Sequence, residues 1–224
     1  SNIDTIITPF TASDFEHFQP EILLTFGGMV VSKRIKGFLR KYKPKAHWHV
    51  DALRAYDTFG ALTNHFKTEP NLFFERLMPL TQKIESPYQS DFLEIKKVRQ
   101  IKQEIYLSKI PFSDFKAFDI IMMNLPQHSM LQISNSSAIR YAQLVEIHPS
   151  ISVFCNRGTS GIDGSTSTAV GAAFASDRQA VFISGDISFL YDSNGLWNQY
   201  IPKNFKIILV NNGGGGIFRI LPGH

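Results

Sequence analysis

Apolar runs alternate with segments of helical apolar spacing along the chain, and polar or glycine-rich turns separate them. In the first half, the short run Glu21–Phe26 predicts a buried strand that ends at two glycines. Apolar residues at helical spacing follow in Val30–Tyr42, and Ala46–Val50 predicts a second strand. This order of strand, glycine turn, helix and strand is typical of a parallel βαβ unit.

The middle of the chain predicts helices. The pattern of residues 58–86 is irregular, and we expect one helix in it, Asn71–Leu80. Asp91–Leu107 predicts an amphipathic helix, and Phe115–Leu125 predicts another helix, which Pro126 ends.

Strands and helices alternate regularly after Pro126. The predicted strands are Met130–Ile133, Ile151–Cys155, Ala180–Ser184 and Lys206–Val210. The predicted helices are Ala138–Ile147, one that begins near Ser165, and one that runs from the GDIS segment to about Tyr200. The pattern therefore predicts an α/β fold of two parallel-sheet units, residues 1–115 and 116–224.

Four polar or glycine-rich loops follow the strands of the second half: SNSSAIR, NRGTSGIDG, GDIS and NNGGGG. In an open parallel sheet, the loops beyond the carboxyl ends of the strands lie at one edge, where ligands bind. One such loop alone would mean little, because turns are rich in Gly, Ser and Asn for steric reasons. Four of them predict a binding site.

The groups in these loops suit a metal ion and a phosphate. Asp186 offers a hard oxygen ligand, Asn212 offers an amide carbonyl, and Ser188 lies at a helix start, where phosphates bind. As an isolated residue, Asp186 would be read as a helix cap. The sequence has no dinucleotide-binding G-x-G-x-x-G turn after its first strand, no Walker-type loop and no Cys/His zinc pattern.

Composition and charge narrow the function classes. Hydrophobic residues make up 43% of the 224 residues and charged residues 19%, as in ordinary globular proteins, and no apolar run is long enough to span a membrane. The net charge is +4, but the lysines and arginines are scattered, so nucleic-acid binding is not favoured. The single cysteine, Cys155, fits a reducing, cytoplasmic setting.

The spacing of Gly185-Asp186 and Asn211-Asn212 resembles the diphosphate-binding motif of thiamine diphosphate enzymes. Asp186 and Asn212 are 26 positions apart, and Ile187 stands where that motif normally has glycine. The segments NRGTSGIDGSTSTAVGAA, GDISFLYDSNGL and NNGGGGIF together resemble the MenD family of menaquinone-biosynthesis synthases. FGGMVVSKRIKGFL, residues 26–39, resembles the central domain of that family.

The resemblance implies thiamine diphosphate and Mg²⁺ as cofactors, with Mn²⁺ as an alternative ion. The implied metal ligands are Asp186, Asn212 and the main-chain oxygen of Gly214. The other implied cofactor-binding residues are Thr159, Ser160, Gly161, Ile162, Gly185, Ile187, Ser188, Gly215, Ile217 and Phe218. Among them, Ile162 matches the apolar residue that supports the bent cofactor.

The resemblance also implies the reaction, which is decarboxylation of 2-oxoglutarate on thiamine diphosphate and addition of the succinyl carbanion to isochorismate. Both substrates carry carboxylates, which arginine binds well. The matching substrate residues are Ser136, Arg140, Arg157, Lys33 and Arg34. Without the resemblance, Arg157 could pair with Asp163, and Arg140, Lys33 and Arg34 could be solvated surface charges.

The resemblance further implies a dimer or tetramer, with residues 1–115 as the central domain and 116–224 as a C-terminally incomplete diphosphate-binding domain. The family's catalytic glutamate comes from a preceding domain, and no glutamate of this chain has a matching context. We therefore expect no catalytic residue here, and a fragment that does not turn over by itself. Two other functions stay open, an acetolactate-synthase relative and a non-catalytic α/β binding module.

Overall fold

In a computed structural model, the described residues are 3–28, 30 and 32–216. They divide into two compact units, residues 3–105 and residues 106–216. Each unit is built on a parallel sheet with helices, which confirms the predicted fold class. The division falls inside a long helix, α5 (Tyr88–Lys109), upstream of the predicted boundary at 115/116. The assignment of the units to a central and a diphosphate-binding domain stays a prediction.

The first unit contains a three-stranded sheet. The strands are β1 (Ile22–Phe26), β2 (Ala46–Val50) and β3 (Leu62–Phe66), in the order β1-β2-β3 with both pairs parallel. The helices are α1 (Ile3–Ile7), α2 (Ala12–His17), α3 (Lys33–Lys41), α4 (Pro70–Leu77) and most of α5, with a 3-10 turn at Met78–Leu80. The sequence predicted β1 and β2 but not β3, α1 or α2.

The second unit contains a four-stranded sheet. Its strands are β4 (Met130–Ile133), β5 (Ser152–Cys155), β6 (Ala180–Gly185) and β7 (Phe205–Val210), all parallel, in the order β5-β4-β6-β7. The helices are α6 (Asp114–Met123), α7 (Ser137–Ala142), α8 (Ser165–Phe174) and α9 (Asp186–Tyr191). All four strands agree with the predicted ones to within a residue.

The core of the second unit lies on both faces of this sheet, as parallel sheets require. Side chains alternate between the faces along β4 and β6. Leu131 and Ile183 pack with residues of α6 and α7 on one face, and Phe182 packs with Ala169 and Ala173 of α8 on the other. The helices therefore cover both faces, and the strand ends remain open to carry a site.

The prediction of a helix that runs from GDIS to about Tyr200 is wrong. Helix α9 ends at Tyr191, and a 3-10 turn covers Ser193–Leu196. The buried Asp192 explains the stop, because its carboxylate accepts hydrogen bonds from the backbone N–H and the hydroxyl of Ser167, each at 2.7 Å. Helix α7 is also shorter than predicted. Among the described helices, none combines the length and the apolar character that a membrane crossing requires.

Candidate functional site

The strand order of the second unit creates a crevice between the carboxyl ends of β4 and β6. From β4 the chain moves to β5 on one side, and from β6 it moves to β7 on the other. Ligands of open α/β sheets bind at such a switch point, where the connections diverge. The four loops that the sequence singled out follow these four strands, so the topology brings their starting points to one edge of the sheet.

A cleft of about 60 Å³ lies at this crevice and draws on all four loops. Its lining residues are Asn135, Ser136, Ser137, Ala138, Ile162, Gly185, Asp186, Ile187, Ser188, Asn212, Gly215 and Gly216. Since a water molecule needs about 15 Å³ on this measure, the cleft has room for a small cluster of water-sized groups. That size suits a hydrated metal ion with phosphate oxygens rather than a whole cofactor.

Asp186 is the carboxylate of the cleft. Its Oδ1 accepts the backbone N–H of Ile187 and its Oδ2 accepts that of Gly214, each at 2.7 Å. Burial of the carboxyl works to raise its pKa, but hydrogen bonds from the N–H groups of Gly214, Ile187, Gly215 and Asn212 outweigh it and lower the pKa below the usual value. Asp186 is therefore a carboxylate at neutral pH, and it holds the loop after β7 against the start of α9.

The glycine run after β7 has the backbone that its sequence requires. Gly213, Gly214 and Gly215 have φ values of +80°, +102° and +61°, a region that side-chain-bearing residues rarely adopt. Gly216 lies so close to Asn212 that an added Cβ would be 2.7 Å from Nδ2. Four consecutive glycines thus allow the loop to turn back onto Asp186 and Asn212.

Asn212 is held at both ends of its amide group. Nδ2 donates to Oδ2 of Asp114 at 2.9 Å, and Oδ1 accepts the backbone N–H of Gly216 at 3.4 Å. Asp114 is the first residue of α6 and lies 98 positions away in the chain. From the sequence, Asp114 was interpreted only as part of the start of a helix.

Ser188 and Ile162 connect two of the loops. The Ser188 side chain is buried, and its hydroxyl donates to the carbonyl oxygen of Ile162 at 2.5 Å. The start of α9 therefore fixes the backbone of the SGIDG segment, and both residues line the cleft. In the same segment, an added Cβ on Gly161 would collide with a carboxylate oxygen of Asp163.

Asn135 is a central residue of the site that the sequence did not single out. It is 2% exposed, and its Nδ2 donates to the carbonyl oxygens of Asn156 at 2.8 Å and Gly161 at 2.6 Å. Its Oδ1 accepts from Nη1 of Arg157 at 2.8 Å and from the Cys155 thiol at 3.5 Å. The signal available in the sequence was its position two residues after β4, in the SNSSAIR loop that the sequence had already indicated as part of a binding site.

The Arg157 guanidinium is held by one hydrogen bond, and its Nε has no hydrogen-bond partner among the described residues. Its Nη1 bonds Asn135 rather than the Asp163 carboxylate that the sequence offered as an alternative. Its Nε is buried without a hydrogen-bond partner among the described residues. A buried unpaired guanidinium donor is costly, so this atom favours the binding of an acceptor from outside the chain.

Two serines near the cleft have left-handed backbone angles. Ser136 lines the cleft with a φ of +68°, and Ser160 in the NRGTSG segment has a φ of +62°. Such angles in residues with a side chain cost free energy and cluster at functional sites. Ser160 is stabilised by a hydrogen bond from its hydroxyl to the carbonyl oxygen of Arg157 at 3.1 Å.

The remaining predicted residues lie outside the cleft lining. Arg140 is exposed in the last turn of α7, and Thr159 is exposed beside Ser160. Lys33 and Arg34 begin α3 in the first unit, and both are exposed. Their charges meet the positive end of that helix, which is an unfavourable place for cations without an anionic partner. Ile217 and Phe218 lie outside the described residues.

The donor set of the cleft fits a hard cation. Within residues 3–28, 30 and 32–216, no group of three or more His, Cys, Asp and Glu side chains is placed to hold a metal. The cleft instead offers one carboxylate, one amide oxygen and the carbonyls of a glycine loop. Mg²⁺ is typically bound by one or two carboxylates together with phosphate oxygens and water, so these residues fit it when a diphosphate is bound beside them.

Three proteins of similar sequence share one name. The chain is 70% identical over all of its 224 residues to 2-succinyl-5-enolpyruvyl-6-hydroxy-3-cyclohexene-1-carboxylate synthase of Flavobacterium psychrophilum. It is 69% identical over its full length to the synthase of the same name from Flavobacterium johnsoniae, and 41% identical over 99% of its length to that of Bacteroides thetaiotaomicron. The chain belongs to this synthase family. It spans 41%, 40% and 39% of these three synthases.

A solved structure shares the fold. The thiamine diphosphate-dependent 4-hydroxybenzoylformate decarboxylase of Rhodococcus jostii matches 92% of the chain and 39% of its own chain, with a TM-score of 0.56 and 20% sequence identity. This likeness supports the arrangement of elements rather than a shared substrate. No protein-family model matches the chain.

Proposed function

We propose that this chain supplies the diphosphate- and metal-binding part of a thiamine diphosphate-dependent synthase of menaquinone biosynthesis. The whole protein would decarboxylate 2-oxoglutarate and join the succinyl group to isochorismate. The observation that carries the proposal is the cleft at the β4/β6 switch point, where Asp186, Ser188 and Asn212 come together. The shared name of the relatives supports the reaction.

In this proposal Asp186, Asn212 and the main-chain oxygen of Gly214 hold Mg²⁺, or Mn²⁺ in its place. The low pKa of Asp186 keeps its charge available to the ion at neutral pH. Gly185, Ile187, Ser188 and Gly215 surround the diphosphate. When bound, thiamine diphosphate supplies the stabilised carbanion that loss of carbon dioxide from a 2-oxo acid requires.

The apolar and loop residues shape the rest of the cofactor site. The hydrogen bond from Ser188 fixes the main chain at Ile162, so the Ile162 side chain can support the cofactor in one orientation. Thr159, Ser160 and Gly161 continue this wall, and we assign Ile217 and Phe218 to the opposite side. The apolar Ile162 side chain would exclude water from its side of the cofactor, which strengthens the electrostatic interactions there.

The substrate carboxylates are assigned to the basic residues. Arg157 has a buried unpaired Nε and a guanidinium held in place by Asn135, so it can bind a carboxylate with little loss of side-chain freedom. Ser136 lines the cleft and follows Asn135, which accepts the hydrogen bond from Arg157. Among the described residues, none forms an ion pair with Arg140, Lys33 or Arg34. We assign these three cations to the same substrates.

The test is an assay of the complete protein with Mg²⁺, thiamine diphosphate, 2-oxoglutarate and isochorismate. We expect consumption of 2-oxoglutarate that depends on isochorismate and on the metal. Asp186→Asn should lower kcat/KM by more than about 100-fold, because it removes the only carboxylate of the proposed metal site. Asp177→Asn, at an exposed position, removes an equal charge and should leave kcat/KM unchanged.

The outcomes separate the candidate functions. Turnover of pyruvate rather than 2-oxoglutarate would instead favour an acetolactate-synthase relative. Failure to bind thiamine diphosphate in the presence of Mg²⁺ would favour a non-catalytic module. An Asp186→Asn variant as active as the wild type would remove the proposed metal site.

Assembly and location complete the proposal. We assign the complete protein to a dimer or tetramer, to be checked by light scattering. A cytoplasmic location fits the single Cys155, which could form no disulfide within the chain. Burial raises the pKa of this thiol, while the nearby Arg157 lowers it less, so the thiol is protonated and unreactive at neutral pH.

A further inference from the structure

We propose that Asp114 is a positioning residue for the metal site. It fixes which end of the Asn212 amide faces the glycine run after β7, residues 213–216, which we call the metal loop. The inference rests on the proposed function, in which Asn212 is a metal ligand through its Oδ1. The sequence and the resemblance gave Asp114 no role beyond a helix start. The structure places its carboxylate 2.9 Å from Nδ2 of Asn212.

An asparagine side chain has a donor end and an acceptor end of nearly equal shape, and it can rotate by a half-turn with little change in packing. Only Oδ1 can bind a cation. A metal site that uses an asparagine therefore needs something that distinguishes the two orientations before the ion arrives.

Asp114 makes this distinction through charge. An ionised carboxylate accepts hydrogen bonds and cannot donate them, so it stabilises the orientation with Nδ2 towards Asp114. The reversed orientation would place Oδ1 against the carboxylate and lose a charge-assisted hydrogen bond. With Nδ2 held in this way, Oδ1 lies towards the backbone N–H of Gly216 in the metal loop.

The carboxylate is itself held in place. Asp114 is the first residue of α6, and the helix is capped by Ser113, whose hydroxyl accepts the backbone N–H of Lys116 at 3.4 Å. A carboxylate in the first turn of a helix is stabilised by the helix dipole. Helix α6 is anchored in turn by Phe118 and Met122, which are 1% and 4% exposed in the core.

Gly216 closes the other side of the amide. An added Cβ there would lie 2.7 Å from Nδ2 and 3.3 Å from Oδ1 of Asn212, so the loop backbone packs directly on the amide group. Asn212 is thus confined between a carboxylate from α6 and a glycine of the metal loop. Groups that orient a metal ligand in this way typically change metal affinity 10–100-fold when removed.

The experiment measures Mn²⁺ binding to the complete protein in the presence of saturating thiamine diphosphate and without substrates. Calorimetry gives the Kd. Asp114→Ala should weaken Mn²⁺ binding by about 10–100-fold. Asp114→Asn should weaken it less, because its side-chain oxygen can still accept from Nδ2, and Asp114→Glu should restore part of the affinity.

The control is Asp119→Asn, which removes the same charge from the same helix. Asp119 is half-buried, as Asp114 is, but the hydrogen bond to Asn212 comes from Asp114. The Kd of Asp119→Asn should therefore stay within about twofold of the wild type. The melting temperature without ligands should be similar for Asp114→Asn and Asp119→Asn. That comparison separates positioning of the ligand from a general loss of stability.

The results distinguish failure of the role of Asp114 from failure of the proposed function. Wild-type Mn²⁺ affinity in Asp114→Ala, or equal losses in Asp114→Asn and Asp119→Asn, would overturn the role of Asp114. No Mn²⁺ binding by the wild-type protein with thiamine diphosphate would overturn the proposed function instead. If Asp114→Ala does not fold, Asp114→Asn and Asp114→Glu give the comparison.

Discussion

At the scale of single residues, one buried amide organises the loops after β4 and β5. Asn135 uses both hydrogens of Nδ2 and two lone pairs of Oδ1, so all of its hydrogen-bonding capacity is satisfied inside the protein. The structure shows the importance of this residue through its hydrogen bonds. In the sequence, it is one of several polar residues at the start of a turn. Its partners come from a segment about twenty residues away.

Asn135→Ala should destabilise the second unit. It would leave the carbonyl oxygens of Asn156 and Gly161 without their donor and release Arg157, with an expected cost of about 2–3 kcal/mol in the free energy of unfolding. Urea unfolding of the complete protein measures the change. The matched control is Asn124→Ala, which removes one hydrogen bond to the Ile120 carbonyl at an exposed position and should cost less than about 0.5 kcal/mol. Equal effects of the two substitutions would refute the assigned role.

His47 makes the first unit sensitive to acid. Its ring is 1% exposed, and Nε2 hydrogen-bonds the Thr25 hydroxyl at 2.8 Å. Burial lowers the pKa of His47; the Asp57 charge raises it, and His49 lowers it further, with a net decrease. The unfolded chain therefore binds a proton at His47 more readily than the folded chain does. As a result, the free energy of unfolding does not change through His47 above pH about 6.5, and it decreases as the pH falls below that value.

The measurement is the urea midpoint of the first unit between pH about 5 and 8. His47→Gln removes the titrating ring and keeps a side chain that can bond Thr25, so it should flatten the decline below pH about 6.5. His148→Gln, at an exposed position, should retain the wild-type profile. A His47→Gln profile as steep as that of the wild type would contradict the assignment.

At the scale of elements, the sequence predicted those whose apolar pattern faces a core. Strands β4 and β6 are buried on both faces. Strand β6 begins with the apolar run AVFI, and β4 is apolar except for the buried Gln132. Strand β3 was missed because it is an edge strand, whose sequence LTNHF leaves Thr63 and Asn64 exposed. The end of α9 was missed because it depends on the hydrogen bonds between Asp192 and Ser167, 25 positions away, which no local pattern contains.

In the candidate site, too, the sequence predicted some residues and missed others. Asp186, Asn212 and the glycine run were predicted because each follows an apolar strand, and the parallel topology brings strand ends together. Asn135 and Asp114 were not singled out, because their importance depends on contacts across 21 to 98 positions. Local patterns predict where loops begin, but the partners of a side chain depend on how the loops pack.

Gly214 and Gly37 should have opposite effects on the free energy of unfolding when each is replaced by alanine. Gly214→Ala should lower the free energy of unfolding by about 1–2 kcal/mol, because its φ of +102° is unfavourable for a residue with a Cβ. Gly37→Ala, in the interior of α3 with no atom near an added Cβ, should raise it by about 0.5–1 kcal/mol. Thermal unfolding compares the two variants. A destabilised Gly37→Ala would show that α3 needs glycine for a reason other than its helix.

At the scale of the whole molecule, the proposal assigns only one end of the cofactor site to this chain. Binding of thiamine diphosphate and Mg²⁺ at 100 times their Kd should stabilise the folded protein by about 2.7 kcal/mol. Removal of the ion with a chelator should reverse this gain, because the diphosphate would lose the cation that joins it to Asp186 and Asn212. Differential scanning calorimetry of the complete protein measures both effects.

Hydrogen exchange can locate the stabilisation, and thiamine without its diphosphate provides the control. Residues 185–188 and 212–216 line the cleft or continue its loops, and their amides should exchange more slowly when thiamine diphosphate and Mg²⁺ are bound. Thiamine with Mg²⁺ should leave those amides unchanged, because it lacks the group that this part of the protein binds. Equal protection by both compounds would mean that the cleft holds another part of the cofactor. The metal assignment of Asp186 and Asn212 would then fail, even if the enzyme activity of the whole protein were demonstrated.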